Sequence, residues 1–106
     1  MRITFISDTH TKHHEVTNDL PGGDLLIHAG DIMNSGYDRY DIENYCEWFD
    51  GLDNYTHKLF IAGNHDRLFE NEPIDSTRLV REFKNISYLE DSLCGIGDVS
   101  IYGSPW

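Results

Sequence analysis

The sequence predicts a small α/β domain built on a mainly parallel sheet, and three observations point there. Three short apolar runs (Ile3-Thr4-Phe5-Ile6, Leu25-Leu26-Ile27-His28-Ala29 and Lys58-Leu59-Phe60-Ile61-Ala62) are rich in Ile, Leu and Phe, as buried parallel strands are. Each is followed at once by a polar cluster: Ser7-Asp8-Thr9-His10, Gly30-Asp31 and Gly63-Asn64-His65-Asp66. Between the second and third runs lies a stretch of helical periodicity, the crossover that parallel strands require.

Strand one is expected over residues 2–7. Residues 11–22, with His13, His14 and Asn18 ahead of Pro21-Gly22-Gly23, read as a polar loop with room for a short helical turn. Strand two covers 24–29, and Met33-Asn34-Ser35-Gly36 reads as a turn. Apolar residues at Tyr40, Ile42, Tyr45, Trp48, Phe49 and Leu52 predict an amphipathic helix over 40–52. Strand three follows over 58–62. Asp75-Ser76-Thr77 ahead of Leu79, Val80 and Phe83 predicts a second helix over about 75–84. The tail offers strands at 86–89 and 99–102 around a Gly95-Ile96-Gly97-Asp98 turn. No repeat, low-complexity tract or linker interrupts this order. The last residues, Gly103-Ser104-Pro105-Trp106, come directly after a strand candidate and leave an indole at the terminus. Residues 1–106 are therefore expected to be a single, incomplete domain.

Composition narrows the function. Nineteen acidic against eight basic residues give a net charge of −11. Broad nucleic-acid binding, which depends on Lys and Arg neutralising phosphates, is disfavoured. A small phosphorylated substrate held through bound cations remains compatible, because such ions dominate the local field. No stretch approaches the ~18 apolar residues of a membrane span, and no basic-then-apolar leader opens the chain, so a cytoplasmic location without membrane contact is expected. Cys46 and Cys94 are far apart and lack CxxC spacing, which predicts two reduced thiols.

The chemistry sits in the three clusters. The C-terminal ends of the strands are where open α/β sheets place their ligands. Two carboxylates (Asp8, Asp31), two imidazoles (His10, His65) and an amide (Asn64) would gather there. Asp8 and His10, two apart on an extended segment, would point to the same side. Mixed oxygen and nitrogen donors suit Mn, Fe, Zn or Co better than Ca or Mg. Gly30 permits close approach of backbone beside Asp31. Each motif alone is ordinary turn chemistry, but all three after successive strands predict a metal site. His13 and His14 read as solvated loop residues, His28 as packed core and His57 as exposed. Arg67 is equally readable as a phosphate contact or a helix-surface residue. Tyr37, Tyr40, Tyr45, Trp48 and Phe49 read as helix packing rather than a base-stacking platform.

These blocks, Asp8-x-His10, Gly30-Asp31 and Gly63-Asn64-His65-Asp66, resemble the signature of the calcineurin-like metallophosphoesterases. The wider text, including Tyr102-Gly103-Ser104-Pro105-Trp106, is similar to the metallophosphoesterase-domain-containing subgroup. The resemblance implies the N-terminal half of an α-β-β-α sandwich. It also implies two divalent transition-metal ions, with Mn the ion to try in assays. Asp8 and His10 would bind the first, Asp31 would bridge both, and Asn64 would bind the second while contacting substrate. His65 would act catalytically at the leaving group of a substrate attacked at phosphorus by a metal-bridging hydroxide. The family's later His and Gly-His-x-His blocks have no counterpart in residues 1–106, so a C-terminal half or a partner chain is expected to supply them. Where Ser/Thr protein phosphatases of the superfamily carry Gly-Asp-x-x-Asp-Arg-Gly, this chain has Asn34 and Ser35 at the charged positions. That favours small phosphodiesters such as cyclic nucleotides over phosphoproteins. The competing expectation is a truncated, catalytically weak metal-binding or interaction protein.

Overall fold

The computed structural model describes residues 1–34 and 37–106. Ser35 and Gly36, in the expected 33–36 turn, lie outside the described residues. Four parallel strands, β1 (Ile3–Ile6), β2 (Gly23–His28), β3 (Tyr55–Phe60) and β4 (Ser87–Tyr88), form one sheet in the order β1-β2-β3-β4. Their register is even. Ile6 pairs with His28, His28 with Phe60 and Phe60 with Tyr88, so the ends of all four strands lie abreast.

Helices cover one face. Helix α1 (Arg39–Asp50) is capped by Asp38, whose carboxylate accepts the Tyr40 N–H at 2.9 Å. It buries Ile42, Tyr45, Cys46, Trp48 and Phe49 against Leu26 and Phe60 of the sheet. Lys58 inserts its stem in the same layer and donates from Nζ to the carbonyls of Asp50 (2.6 Å) and Leu52 (3.1 Å), closing the end of α1. Tyr37 and Tyr40 do not join the packing: both are exposed. The pattern misleads there because both precede the first buried turn of the helix.

Two helices replace the expected single one. A short α2 (Arg67–Asn71) is followed by α3 (Pro73–Arg81). Pro73 starts α3 because its fixed φ suits the first helical position and its missing N–H costs nothing there. The Ser76 hydroxyl, expected near a cap, is buried and donates to the Leu68 carbonyl at 2.9 Å, joining the two helices. Residues 13–19, expected as a polar loop with room for a short helical turn, form a 3₁₀ helix.

The opposite face carries a hairpin of β5 (Ser92–Ile96) and β6 (Val99–Gly103). Gly95 and Ile96 belong to β5 rather than the turn; only Gly97 and Asp98 make the loop, with Gly97 at φ +59°. Leu25, Leu59, Leu89 and Ile96 form a second, smaller core beneath it. The layers therefore run helix, parallel sheet, hairpin. Both cysteines are free, and no described helix is long and apolar enough to cross a membrane.

Candidate metal centre

The even register sets three polar clusters side by side, each starting one to three residues after its strand. Backbone bonds prolong the sheet into them: Asp8 N–H to Gly30 O (2.9 Å), His10 N–H to Asp31 O (3.0 Å) and Thr11 N–H to Ile32 O (2.8 Å). The second and third loops touch through glycines. Gly30 sits at φ +105°, and a Cβ at Gly63 would overlap the Asp31 carboxylate. The first loop is not extended as expected. Asp8 (φ +56°), His10 (+44°) and Thr11 (+68°) are left-handed, as is Asp31 (+60°). Such conformations cost free energy for residues with a Cβ and persist where surrounding structure imposes them, often at functional sites.

This turn of the chain brings Asp8, His10 and Asp31 together. One ligand-type atom from each lies within 4.8 Å of the others. His10 is aimed by its ring Nδ1–H, which donates to the Met33 carbonyl at 3.1 Å and leaves Nε2 free, 3.7 Å from Asp8 Oδ1. The Ser7 hydroxyl, the neighbouring Asp31 carboxyl and the His10 ring hold Asp8's carboxyl below the usual range, against a smaller opposing effect of burial. The Asn64 carboxamide stands 3.2 Å from both Asp31 oxygens. With Nδ2 inward it donates to both; with Oδ1 inward, the amide oxygen is free to join the Asp31 carboxylate around a cation. The donor set of two carboxylates, one oriented imidazole nitrogen and an amide therefore fits a divalent transition metal.

His65 stands beside this group. Its backbone N–H donates to Asp31 Oδ1 at 2.9 Å, and its ring meets the His10 ring edge-on at 5.0 Å. Its Nδ1–H donates to the Asn34 carbonyl at 3.1 Å, leaving Nε2 directed elsewhere. Asn34 thus orients the imidazole with its backbone carbonyl.

Three residues have roles that sequence reasoning missed or left undeveloped. Asp66 is wholly buried, and its carboxylate accepts four backbone N–H groups: Asp31 (2.9 Å), Ile32 (3.2 Å), Met33 (2.8 Å) and Gly63 (2.8 Å). Burial pushes its pKa up, opposed by those four bonds. Its place three residues after Gly63 was the available signal for a bond back to that loop. His28 is buried as expected, yet it is more than packing: Nδ1 accepts the Gly30 N–H (3.1 Å) and Nε2 meets the Thr9 hydroxyl (2.9 Å). His13 is not a solvated loop residue. It is buried against Tyr45 and Trp48 and bonded to Asn44 Oδ1 at 2.9 Å, and burial lowers its pKa to about 4. His14 and His57 are exposed. Arg67 is exposed, over the Tyr37 ring at 5.4 Å and bonded to its hydroxyl at 3.1 Å.

Comparison with known proteins decides the family. The model of the calcineurin-like phosphoesterases matches residues 1–104. The chain belongs to that family. Among similar proteins, human metallophosphoesterase domain-containing protein 1 is 32% identical over 99% of this chain and 37% of its own length. A UPF0046 protein of Caenorhabditis elegans is 35% identical over the whole chain and 41% of its own length. A probable rhamnogalacturonate lyase C of Emericella nidulans is 32% identical over the whole chain and 10% of its own length. The chain thus spans about two fifths of the first two relatives. Calcineurin-like phosphoesterases work with divalent metal ions, and Asp8, His10 and Asp31 are the group among the described residues that fits one.

Proposed function

We propose that this chain carries the first metal-binding half of a metal-dependent phosphoesterase acting on small phosphodiesters, cyclic nucleotides among them. The observation behind this reading is the convergence of Asp8, His10 and Asp31 within 4.8 Å, with Asn64 against Asp31. Asp8 and His10 would hold the first ion, Asp31 would reach both, and Asn64 would hold the second. Two bound divalent ions clamp phosphate oxygens and make water nucleophilic at neutral pH. His65 does the protein's proton chemistry. With Nδ1–H fixed on the Asn34 carbonyl, its Nε2–H delivers a proton to the departing oxygen, and the ring returns to neutral without turning. The absence of charged side chains at Asn34 and Ser35 supports a small diester over a phosphoprotein.

The remaining histidine ligands come from polypeptide outside residues 1–106, either C-terminal to it or on a partner chain. The open sheet face supports this. Phe5 and Tyr102 are 69% and 60% exposed and border an apolar groove of about 350 Å³ with Ile27, Ile61, Leu89 and Ile101. The same face favours the second reading, in which the chain is an interaction protein that holds one metal weakly. Assaying the 106-residue chain and a longer polypeptide that contains it, with Mn²⁺ and bis-p-nitrophenyl phosphate or 2′,3′-cyclic AMP, separates the two. Turnover by the longer species that EDTA abolishes is expected. Metal-stimulated hydrolysis by neither species would leave the interaction reading.

A further inference from the structure

We propose that His28 and Asp66, two buried side chains that reach no substrate, are the positioning residues that hold the three ligand loops in register for metal binding. The inference rests on the reading of Asp8, His10, Asp31 and Asn64 as ligands. His28 joins the first loop to the second. The Gly30 N–H donates to Nδ1, so the ring proton sits on Nε2, which donates to the Thr9 hydroxyl. Thr9 lies between Asp8 and His10, and Gly30 directly precedes Asp31. One neutral ring therefore spans both loops, clamped edge-on against Tyr45 at 5.4 Å.

Asp66 joins the second loop to the third. Oδ2 accepts the N–H groups of Asp31 and Ile32 from the second loop and of Gly63 from the third, and Oδ1 accepts that of Met33. Its influence then runs one residue further in two directions. Met33, held by its N–H at 2.8 Å, presents the carbonyl that aims the His10 ring. Asp31, held by its N–H at 2.9 Å, presents the carboxylate that meets Asn64 and the His65 N–H. Both left-handed ligand segments, at Asp8–Thr11 and at Asp31, are thus tied to a buried side chain that is not a ligand. An amide cannot replace this carboxylate. Asn at 66 has one acceptor oxygen, and its NH₂ would face at least one inward-pointing N–H.

The test is a Co²⁺ titration of the longer polypeptide that contains residues 1–106, followed by visible absorption, which reports both affinity and coordination geometry. Outer-shell partners of metal ligands typically contribute 10–100-fold in affinity. Asp66→Asn is expected to weaken Co²⁺ by about that factor and alter the spectrum. Thr9→Val, which leaves the His28 proton unpaired, is expected to act in the same direction, and Thr9→Ser to restore wild-type binding. Wild-type affinity and spectrum in folded Asp66→Asn and Thr9→Val would overturn the inference, whatever their thermal midpoints. So would a Thr9→Ser as weak as Thr9→Val. If Asp66→Asn does not fold, hydrogen exchange in the wild-type chain decides its part. The Asp31, Ile32, Met33 and Gly63 amides should exchange as slowly as those of β2, and free exchange would refute the Asp66 contacts. A longer polypeptide containing residues 1–106 that shows no Co²⁺ bands removes the metal reading itself, a result distinct from binding that the variants leave unchanged.

Discussion

Replacing Asp31 by Asn should move metal affinity and apo-protein stability in opposite directions. The substitution keeps the shape, the Oδ1 that accepts the His65 N–H at 2.9 Å, and a residue type tolerant of the left-handed φ of +60°. It removes the charge that would face both ions, so Mn²⁺ binding should fall by at least about 100-fold, beyond the loss typical of an outer-shell partner. In the metal-free chain, once both carboxylates are ionised and share no proton, the same charge is unfavourable. Asp8 and Asp31 bring carboxylate oxygens within 4.8 Å, and two unit charges at that distance repel by about 1 kcal/mol even at the dielectric of water. Relief of that repulsion should raise the apo thermal midpoint by up to about 4–8 °C at low salt, with the gain shrinking as salt is added. Calorimetric titration with Mn²⁺ and thermal unfolding in EDTA are the two measurements. Undiminished affinity would remove Asp31 from the site. A loss of affinity matched by apo destabilisation would instead make Asp31 a structural residue whose metal effect is secondary.

Further expectations concern single groups. His65→Ala should lower phosphodiester turnover of the active species by about 10²–10⁴-fold while metal affinity stays within about twofold, as calorimetry and kinetics together would show; parallel metal loss would make His65 a ligand. Burial lowers the pKa of both His13 and His28 to about 4, so the unfolded chain takes up protons below pH 6.5 that the folded chain refuses. Stability should therefore be full above about pH 6.5 and fall progressively as pH drops towards 4, by about 2–3 kcal/mol for each ring; a urea midpoint flat between pH 7 and 5 would contradict this. Tyr45→Phe removes a buried hydroxyl that has no hydrogen-bond partner, so chemical denaturation should find the variant as stable as the parent or about 1 kcal/mol more so. A clear destabilisation would mean that the hydroxyl is bonded in solution.

The elements legible in the sequence were those whose burial is one-sided or complete. Strands β2 and β3 announced themselves because Leu, Ile and Phe fill positions covered on both faces, and β1 did so as a short apolar run even though Ile3 and Phe5 stay exposed. Helix α1 did so because its buried positions recur at helical spacing. Strand ends shifted by up to three residues, as β3 shows by starting at Tyr55 and passing Ile61 and Ala62 to the loop. Helix α2 left no signal: five residues make little more than one turn, too few for a period to appear. Strand β5 was hidden by Gly95, a residue that weakens any strand reading, and by a turn that needs only Gly97 and Asp98.

The site divides along a different line. Its candidate groups were readable, since Asp, His and Asn follow successive strands. Its geometry was not. An extended Asp8-Thr9-His10 would place the two side chains on one side by simple alternation, whereas the structure achieves their meeting through left-handed backbone at Asp8, His10 and Thr11. No local preference selects that conformation for three residues bearing a Cβ. It is imposed from outside the segment, by bonds from Asp8, His10 and Thr11 to the second loop and from Thr9 to His28. The same holds for Asp31, whose left-handed turn is gripped by Asp66 thirty-five residues away. A sequence pattern reports which groups reach a strand end. How closely they approach is decided by buried polar side chains whose partners are backbone atoms, and a backbone partner carries no residue identity to be read. His28 looked like core and Asp66 like the tail of a motif for that reason. In this fold the packed interior and the ligand cluster meet at those two residues, so a change in either is felt first as ligand geometry.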